Sequence, residues 1–137
     1  MMVTLVPQHL IDAVWPSVAT GFEKASRRGG GDLTVGELWQ GCRQGTCFLF
    51  VVHDDNHVKA ATVWKPELWT SGPKFRCMAL YGHGMKEWMP ALHEKVREVA
   101  IQCGATSLMS EGRVGWQKVF PKARVLRVVY EEPIDGR

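Results

Sequence analysis

The sequence contains no apolar run approaching the roughly 18 residues that a membrane span requires. Its opening stretch, MMVTLVPQHLIDAVW, meets a proline and an aspartate before the apolar core of a leader could form. A non-exported protein without a membrane anchor is therefore expected. The four cysteines, Cys42, Cys47, Cys77 and Cys103, include no CxxC pair and are too sparse for a disulfide scaffold. Each lies in an apolar stretch, as buried free thiols do, which implies a reducing, cytoplasmic setting. Charge of one sign is also lacking: 17 Lys and Arg stand against 14 Asp and Glu, a net charge of +3. That excess is too small to mark a nucleic-acid binder. Arg113, Lys118, Lys122, Arg124 and Arg127 in the last third read as a solvated basic face, because no recognition helix or aromatic base-stacking platform accompanies them. With no repeat, linker or low-complexity segment, residues 1–137 read as a single domain, long enough to bury its own core.

What is present is periodicity. Met2 to Val6 reads as a short strand ended by Pro7. Leu10, Val14, Val18 and Phe22, with Ile11 and Trp15, form the stripe of an amphipathic helix, and Pro16 inside it predicts a kink or break near Trp15. RRGGG, ending at Gly31, is a loop. Thr34 and Glu37 have the spacing of a capping box, which predicts a helix from Val35 to Arg43 closed by Gly45. TCFLFVV, from Thr46 to Val52, is an apolar run of strand length covered on both faces, paired through the turn HDDNH with a strand from Val58 to Trp64. His53 and His57 flank two aspartates in that turn, but no distant ligand is signalled and Asp-Asn is ordinary turn chemistry, so no metal is expected. Pro66 to Pro73 reads as a loop carrying Trp69.

The segment from Phe75 to Trp116 organises the rest. An apolar strand runs into a Gly-His-Gly turn, then into a long helix with Pro90 in its first turn. Met89, Leu92, Val96, Val99, Ala100 and Cys103 form its apolar stripe, and Gly104 caps it. Thr106 to Ser110 is the next strand, Val114 to Phe120 a short helix and Val125 to Glu131 a final strand. A strand entering a helix through glycines makes an anion site, because the first-turn amides have no intrahelical partner and point out of the helix's positive end. The order β-α-α-β-β-β-α-β-α-β predicts an α+β fold, a largely antiparallel mixed sheet with one parallel pair around the long helix.

That order, together with YGHGMKEW leading into the long helix, resembles the GNAT acyltransferase fold over nearly the whole chain. LWQGCRQGTCFLFVV, CGATSL and EGRVGWQKVFP are similar more specifically to small GNAT-like proteins encoded by bacteriophages, which often lie among virion and DNA-packaging genes. The resemblance implies an acetyl-coenzyme A cleft in which Gly82, His83, Gly84, Met85 and Lys86 take the place of the pyrophosphate loop, with Arg113 as a further phosphate or carboxylate donor. Lys86 stands at or next to a position where the family has a small residue. The resemblance also implies a tyrosine on the helix after the fifth strand as the acid for the leaving thiolate. In this chain that helix, VGWQKVF, has none, and Tyr81 and Tyr130 lie elsewhere. Glu67, His53, His83 and Glu111 all stand open as a general base. The family closes with a further hairpin where this sequence has only EPIDGR, which implies an uncovered sheet edge open to a homo-oligomer contact. Two functions follow: an acyl-coenzyme-A-dependent N-acyltransferase with an eroded catalytic site, or a non-catalytic phage structural protein that binds a virion or host partner. The second suits the six tryptophans, although most of them are expected in the core. The corresponding locations are the host cytoplasm or the virion.

Overall fold

Strands that are apolar on both faces need a cover on each side, and this chain provides it with helices on either face of one sheet. The computed structural model describes residues 1–28, 33–55, 57–112 and 120–134. Its elements are β1 (Met2–Leu5), a 3-10 turn at Gln8–Leu10, α1 (Ile11–Arg28), α2 (Val35–Gln44), β2 (Phe48–Asp54), β3 (His57–Trp69), β4 (Gly72–Gly82), α3 (Met85–Gln102) and β5 (Ser107–Met109). The class is α+β, and the order agrees with the expected one through β5. The sheet order is β1-β2-β3-β4-β5. The first four strands pair antiparallel, whereas β4 and β5 run parallel with α3 as the crossover.

Alternation along β2 explains its continuous apolar run. Leu49 and Val51 face a core of Ile11, Val18, Phe22, Leu38 and Cys42 from α1 and α2. Phe50 and Val52 face Trp88, Leu92, Val96 and Val99 of α3. Thr34 caps α2, with the Glu37 amide donating to Thr34 Oγ1 at 3.1 Å and the Thr34 hydroxyl donating to Glu37 Oε1 at 3.2 Å in place of the backbone bond of a full capping box, and Gly45 closes that helix in the left-handed region at φ 81°.

Several expectations are corrected. α1 continues through Pro16 without a break. A proline inside a helix costs about 3 kcal/mol. Val18 and Phe22 beyond it are each 0% exposed, and fully burying such side chains contributes about 1.5–3 kcal/mol apiece. The segment Pro66–Pro73 is not a loop but the end of a long β3–β4 hairpin that projects past β2. There, among the described residues, β3 has only β4 beside it, the kind of edge on which Pro66 is tolerated. α3 starts at Met85, so Pro90 lies within it rather than in its first turn, and Cys103 beyond its end is exposed rather than buried. Cys47 and Cys77 are only partly buried, which leaves Cys42 as the one buried thiol. Of the tryptophans, Trp15 and Trp88 are core, whereas Trp39, Trp64 and Trp69 are partly exposed and Trp116 lies outside the described residues. The strand expected over Val125–Glu131 does not form. The segment pairs with no strand among the described residues, and Val125, Val128, Val129 and Tyr130 are exposed on it. Apolar alternation supplies a strand's side chains but not a neighbouring edge, and β5 offers only three residues. The short helix expected over Val114–Phe120 falls, but for Phe120, outside the described residues. No helix among the described residues is long and apolar enough to cross a membrane.

Candidate functional site

β4 and β5 share only three residue pairs, Lys74 with Ser107, Phe75 with Leu108 and Arg76 with Met109. From Cys77 to Gly82, β4 runs on with β3 as its sole ladder partner among the described residues. The parting coincides with an irregularity in β4. Val63 pairs with Ala79 and Trp64 with Cys77, so Met78 is an extra residue, a β-bulge that bends the strand and increases its twist. The bulge is pinned from β3: the fully buried Thr62 hydroxyl donates to the Ala79 carbonyl at 2.7 Å, and the Cys77 thiol donates to the same oxygen at 3.5 Å. Burial pushes the Cys77 thiol up to about 11, so it stays protonated. An antiparallel strand sends the amides of alternate residues to each side. Beyond Arg76, those that turn away from β3 have no strand partner among the described residues, so among these residues the sheet opens there past the end of the β5 ladder.

The opening leads to the turn that joins β4 to α3. Gly82 has φ 154°, and a Cβ there would lie 2.5 Å from Ala60 Cβ and 2.8 Å from Trp88 Cζ2, so only glycine fits. Trp88, 1% exposed, donates its indole N–H to the His83 carbonyl at 2.6 Å and anchors the turn to the core. Gly84 is the left-handed N-cap of α3 at φ 68°, and its carbonyl accepts from the Glu87 amide at 2.9 Å. The amides of Met85 and Lys86 have no backbone acceptor among the described residues. Gly82, His83, Gly84 and Lys86 are exposed, while Met85 packs partly against the α3 core. Glu87, the acid of that first turn, is held by Lys59 Nζ at 3.0 Å, which also meets Asp54 at 2.9 Å. The Lys86 ammonium has no carboxylate partner among the described residues. Sequence reasoning thus assembled Gly82 to Lys86 as one turn; Arg113 lies outside the described residues.

The four base candidates are scattered. His53 shares a hydrogen bond of 2.8 Å with Thr4 at the β1–β2 edge. Glu67 accepts from Trp69 Nε1 at 3.0 Å and pairs with Arg76 at 3.3 Å. Burial pushes the Glu67 carboxyl up, but the bonds from Trp69 and Arg76 outweigh it and leave the group below the ordinary carboxylate range. Glu111 is shared by Arg76 at 2.8 Å and Arg127 at 3.1 Å. Only His83 lies at the opening. Tyr81 packs edge-on against Phe22, and burial raises its phenol. On the α2 side of the sheet, an open groove of about 590 Å³ is lined by Trp39, Gln40, Cys47, Lys65 and the bulge residue Met78. Met78 and Thr62 gave no signal in the sequence, since a bulge depends on register rather than on residue type. Among the described residues no group of three or more His, Cys, Asp and Glu side chains could hold a metal ion.

The sequence matches no protein-family model and no curated protein. Its fold does match solved structures. An aminoglycoside acetyltransferase from an uncultured soil metagenomic sample has a TM-score of 0.71 and 12% identity, with 97% of each chain covered. A GCN5-related N-acetyltransferase from Ralstonia eutropha gives 0.68 and 14%, covering 98% of this chain and 99% of that one. A predicted acetyltransferase solved with acetyl-CoA, from Clostridium acetobutylicum, gives 0.69 and 7%, covering 95% and 94%. At such identities the likeness establishes the fold: the chain has the architecture of the GNAT acetyltransferases.

Proposed function

We propose that the chain is an acyl-coenzyme-A-dependent N-acyltransferase of low acid–base power, with its donor held in the β4–β5 opening. The observation that carries this reading is the parting of β4 from β5 at the Met78 bulge, continued into a glycine turn with two unpartnered helix amides. The residues suit the donor. β4 amides facing the opening can bond an amide-rich arm, and the Met85 and Lys86 amides with the Lys86 ammonium can neutralise a pyrophosphate. Acetyl-coenzyme A supplies the activated thioester. An acceptor amine forms the new C–N bond as the C–S bond breaks. The amine's surplus proton leaves to water or His83, and water returns one to the thiolate. Positioned acids and bases contribute about 10²–10⁴-fold in rate, so a slow enzyme is expected. Titration calorimetry with acetyl-coenzyme A tests the reading. Heat and a raised melting point are expected, with binding weakened at least tenfold by Lys86→Glu. Absence of both signals in the wild type sinks it.

A second reading, a non-catalytic phage protein that binds a virion or host partner or a second copy of itself, draws on the exposed side chains of Val125, Val128, Val129 and Tyr130. Its test is sedimentation of the full chain across a concentration series. A strictly monomeric chain that is also absent from virions counts against it.

A further inference from the structure

One charged side chain is buried without a countercharge. Lys74, on β4, keeps 8% of its surface. Its Nζ reaches Ser107 Oγ at 3.4 Å and lies 5.4 Å from the centre of the Trp69 ring. No carboxylate lies within ion-pairing distance of it among the described residues. The two acids nearby are already engaged: Glu67 takes Trp69 Nε1 and Arg76, and Glu111 takes Arg76 and Arg127. Arg127 also lies over the Trp69 ring, 5.1 Å from its centre. A hydroxyl and an aromatic face replace only part of the hydration that an ammonium loses on burial.

The location of this charge gives it a use. Glu67 pairs across the hairpin with Lys74, and Lys65 with Arg76. Cross-strand partners and residues two apart share a sheet face, so all four lie on the face where Lys65 and Met78 line the groove beside α2. Lys65 has no carboxylate partner among the described residues either. Among the described residues that face carries Lys65, Lys74 and Arg76, with Arg127 joined to it through Glu111 and the Trp69 ring, against Glu67 and Glu111.

We propose that Lys74, with Ser107 and Arg127, binds a small oxyanion, a carboxylate or a phosphate. Resting on the acyl-transfer reading, the acceptor is then an amine that carries such a group. The small residual exposure of Lys74 fits a single anionic group rather than an extended acidic surface. The anion site itself stands without the cofactor reading, since it uses none of the residues of the Gly82–Lys86 turn.

Thermal unfolding of the full chain in phosphate, in acetate and in chloride at matched ionic strength, without coenzyme A, tests it. Phosphate or acetate is expected to raise the melting point by about 2–4 °C over chloride, and the more effective of the two identifies the group. Lys74→Met keeps the buried stem and should abolish the rise while melting no lower than wild type in chloride. Ser107→Ala, at an exposed position, should reduce the rise in a chain whose folding is not in question. Lys86→Glu removes the phosphate site proposed at the α3 turn, and in that background the Lys74-dependent rise should persist. The proposal is overturned by no rise in the wild type, by a rise that Lys74→Met leaves intact in the Lys86→Glu background, or by one that Lys86→Glu alone abolishes, which would place the anion at the α3 turn. An amine acceptor with a carboxylate or phosphate should raise the midpoint where its uncharged analogue does not. Equal effects would remove the acceptor assignment and leave the anion site standing.

Discussion

Gly82→Ala probes the joint between the fold and the candidate site more sharply than any change at an exposed side chain. The added methyl would stand 2.5 Å from Ala60 Cβ, 2.8 Å from Trp88 Cζ2 and 3.1 Å from Ala60 Cα. The Ala60 contacts belong to a neighbouring strand and cannot swing aside. Trp88 is fixed by its 2.6 Å bond to the His83 carbonyl and by the α3 core. Overpacking of this kind costs about 1–3 kcal/mol, and a backbone angle that only glycine adopts freely adds about 1–3 kcal/mol. The sum, about 2–6 kcal/mol, corresponds to a fall of roughly 10 °C or more in a chain of this size. Gly84→Ala is the matched control. Its φ of 68° is also left-handed, but the nearest atom to a new Cβ is Glu87 Oε2 at 3.9 Å. It should cost only about 1–2 kcal/mol. Differential scanning calorimetry of the pair separates the two. A Gly82→Ala midpoint within about 3 °C of wild type, or no gap between the two variants, would refute the packing described for the turn.

Trp88→Phe removes the donor to the His83 carbonyl and should lose about 1–3 kcal/mol in urea unfolding with an unchanged slope; a loss below about 0.5 kcal/mol would show that water replaces the indole without penalty. The Glu67 carboxyl lies below its ordinary value, so its stabilisation is present above the unfolded value and is lost as pH falls through the folded one. The stability gap between wild type and Glu67→Gln should therefore stay flat near neutrality and close below about pH 4.3, and a gap independent of pH contradicts the Arg76 and Trp69 bonds. Burial raises all four thiols, Cys42 to about 12 with a smaller push from Cys47. Thiol titration at mildly alkaline pH should show exposed Cys103 reacting first and Cys42 only on unfolding; a first phase that survives Cys103→Ser would contradict this order of exposure.

The elements legible in the sequence were those whose cause is local. The Thr34–Glu37 cap, the α3 stripe from Met89 to Ala100 and the glycine turn before it each follow from residues within a few positions of one another. What escaped was decided by distant neighbours. Pro66 suggested a loop because its tolerance depends on which side of β3 is open. Val125 to Glu131 had the composition of a strand and no partner. At the candidate site the turn could be assembled from Gly82, His83, Gly84, Met85 and Lys86, whereas the β4–β5 opening depended on a bulge that no residue type announces. Lys74 gave no signal in the sequence, because its burial comes from Trp69 and from the pairing with β5.

The extra residue in β4 also acts as a phase shift. Phe75 and Tyr81 are six positions apart in the sequence and in a regular strand would point to the same face. Here Phe75 belongs to the α3 core and Tyr81 to the α1 core against Phe22. Met78 sets the reading frame of the strand, so that each half is in phase with a different layer. Removing that one residue would bring Cys77 and Ala79 side by side opposite Trp64 and Val63, a regular ladder in which Phe75 and Tyr81 keep their opposite faces but the bend and extra twist of the bulge are lost. Substitutions at Met78 can be absorbed by the groove it lines, and a deletion there would straighten β4 without exchanging the layers that Phe75 and Tyr81 join.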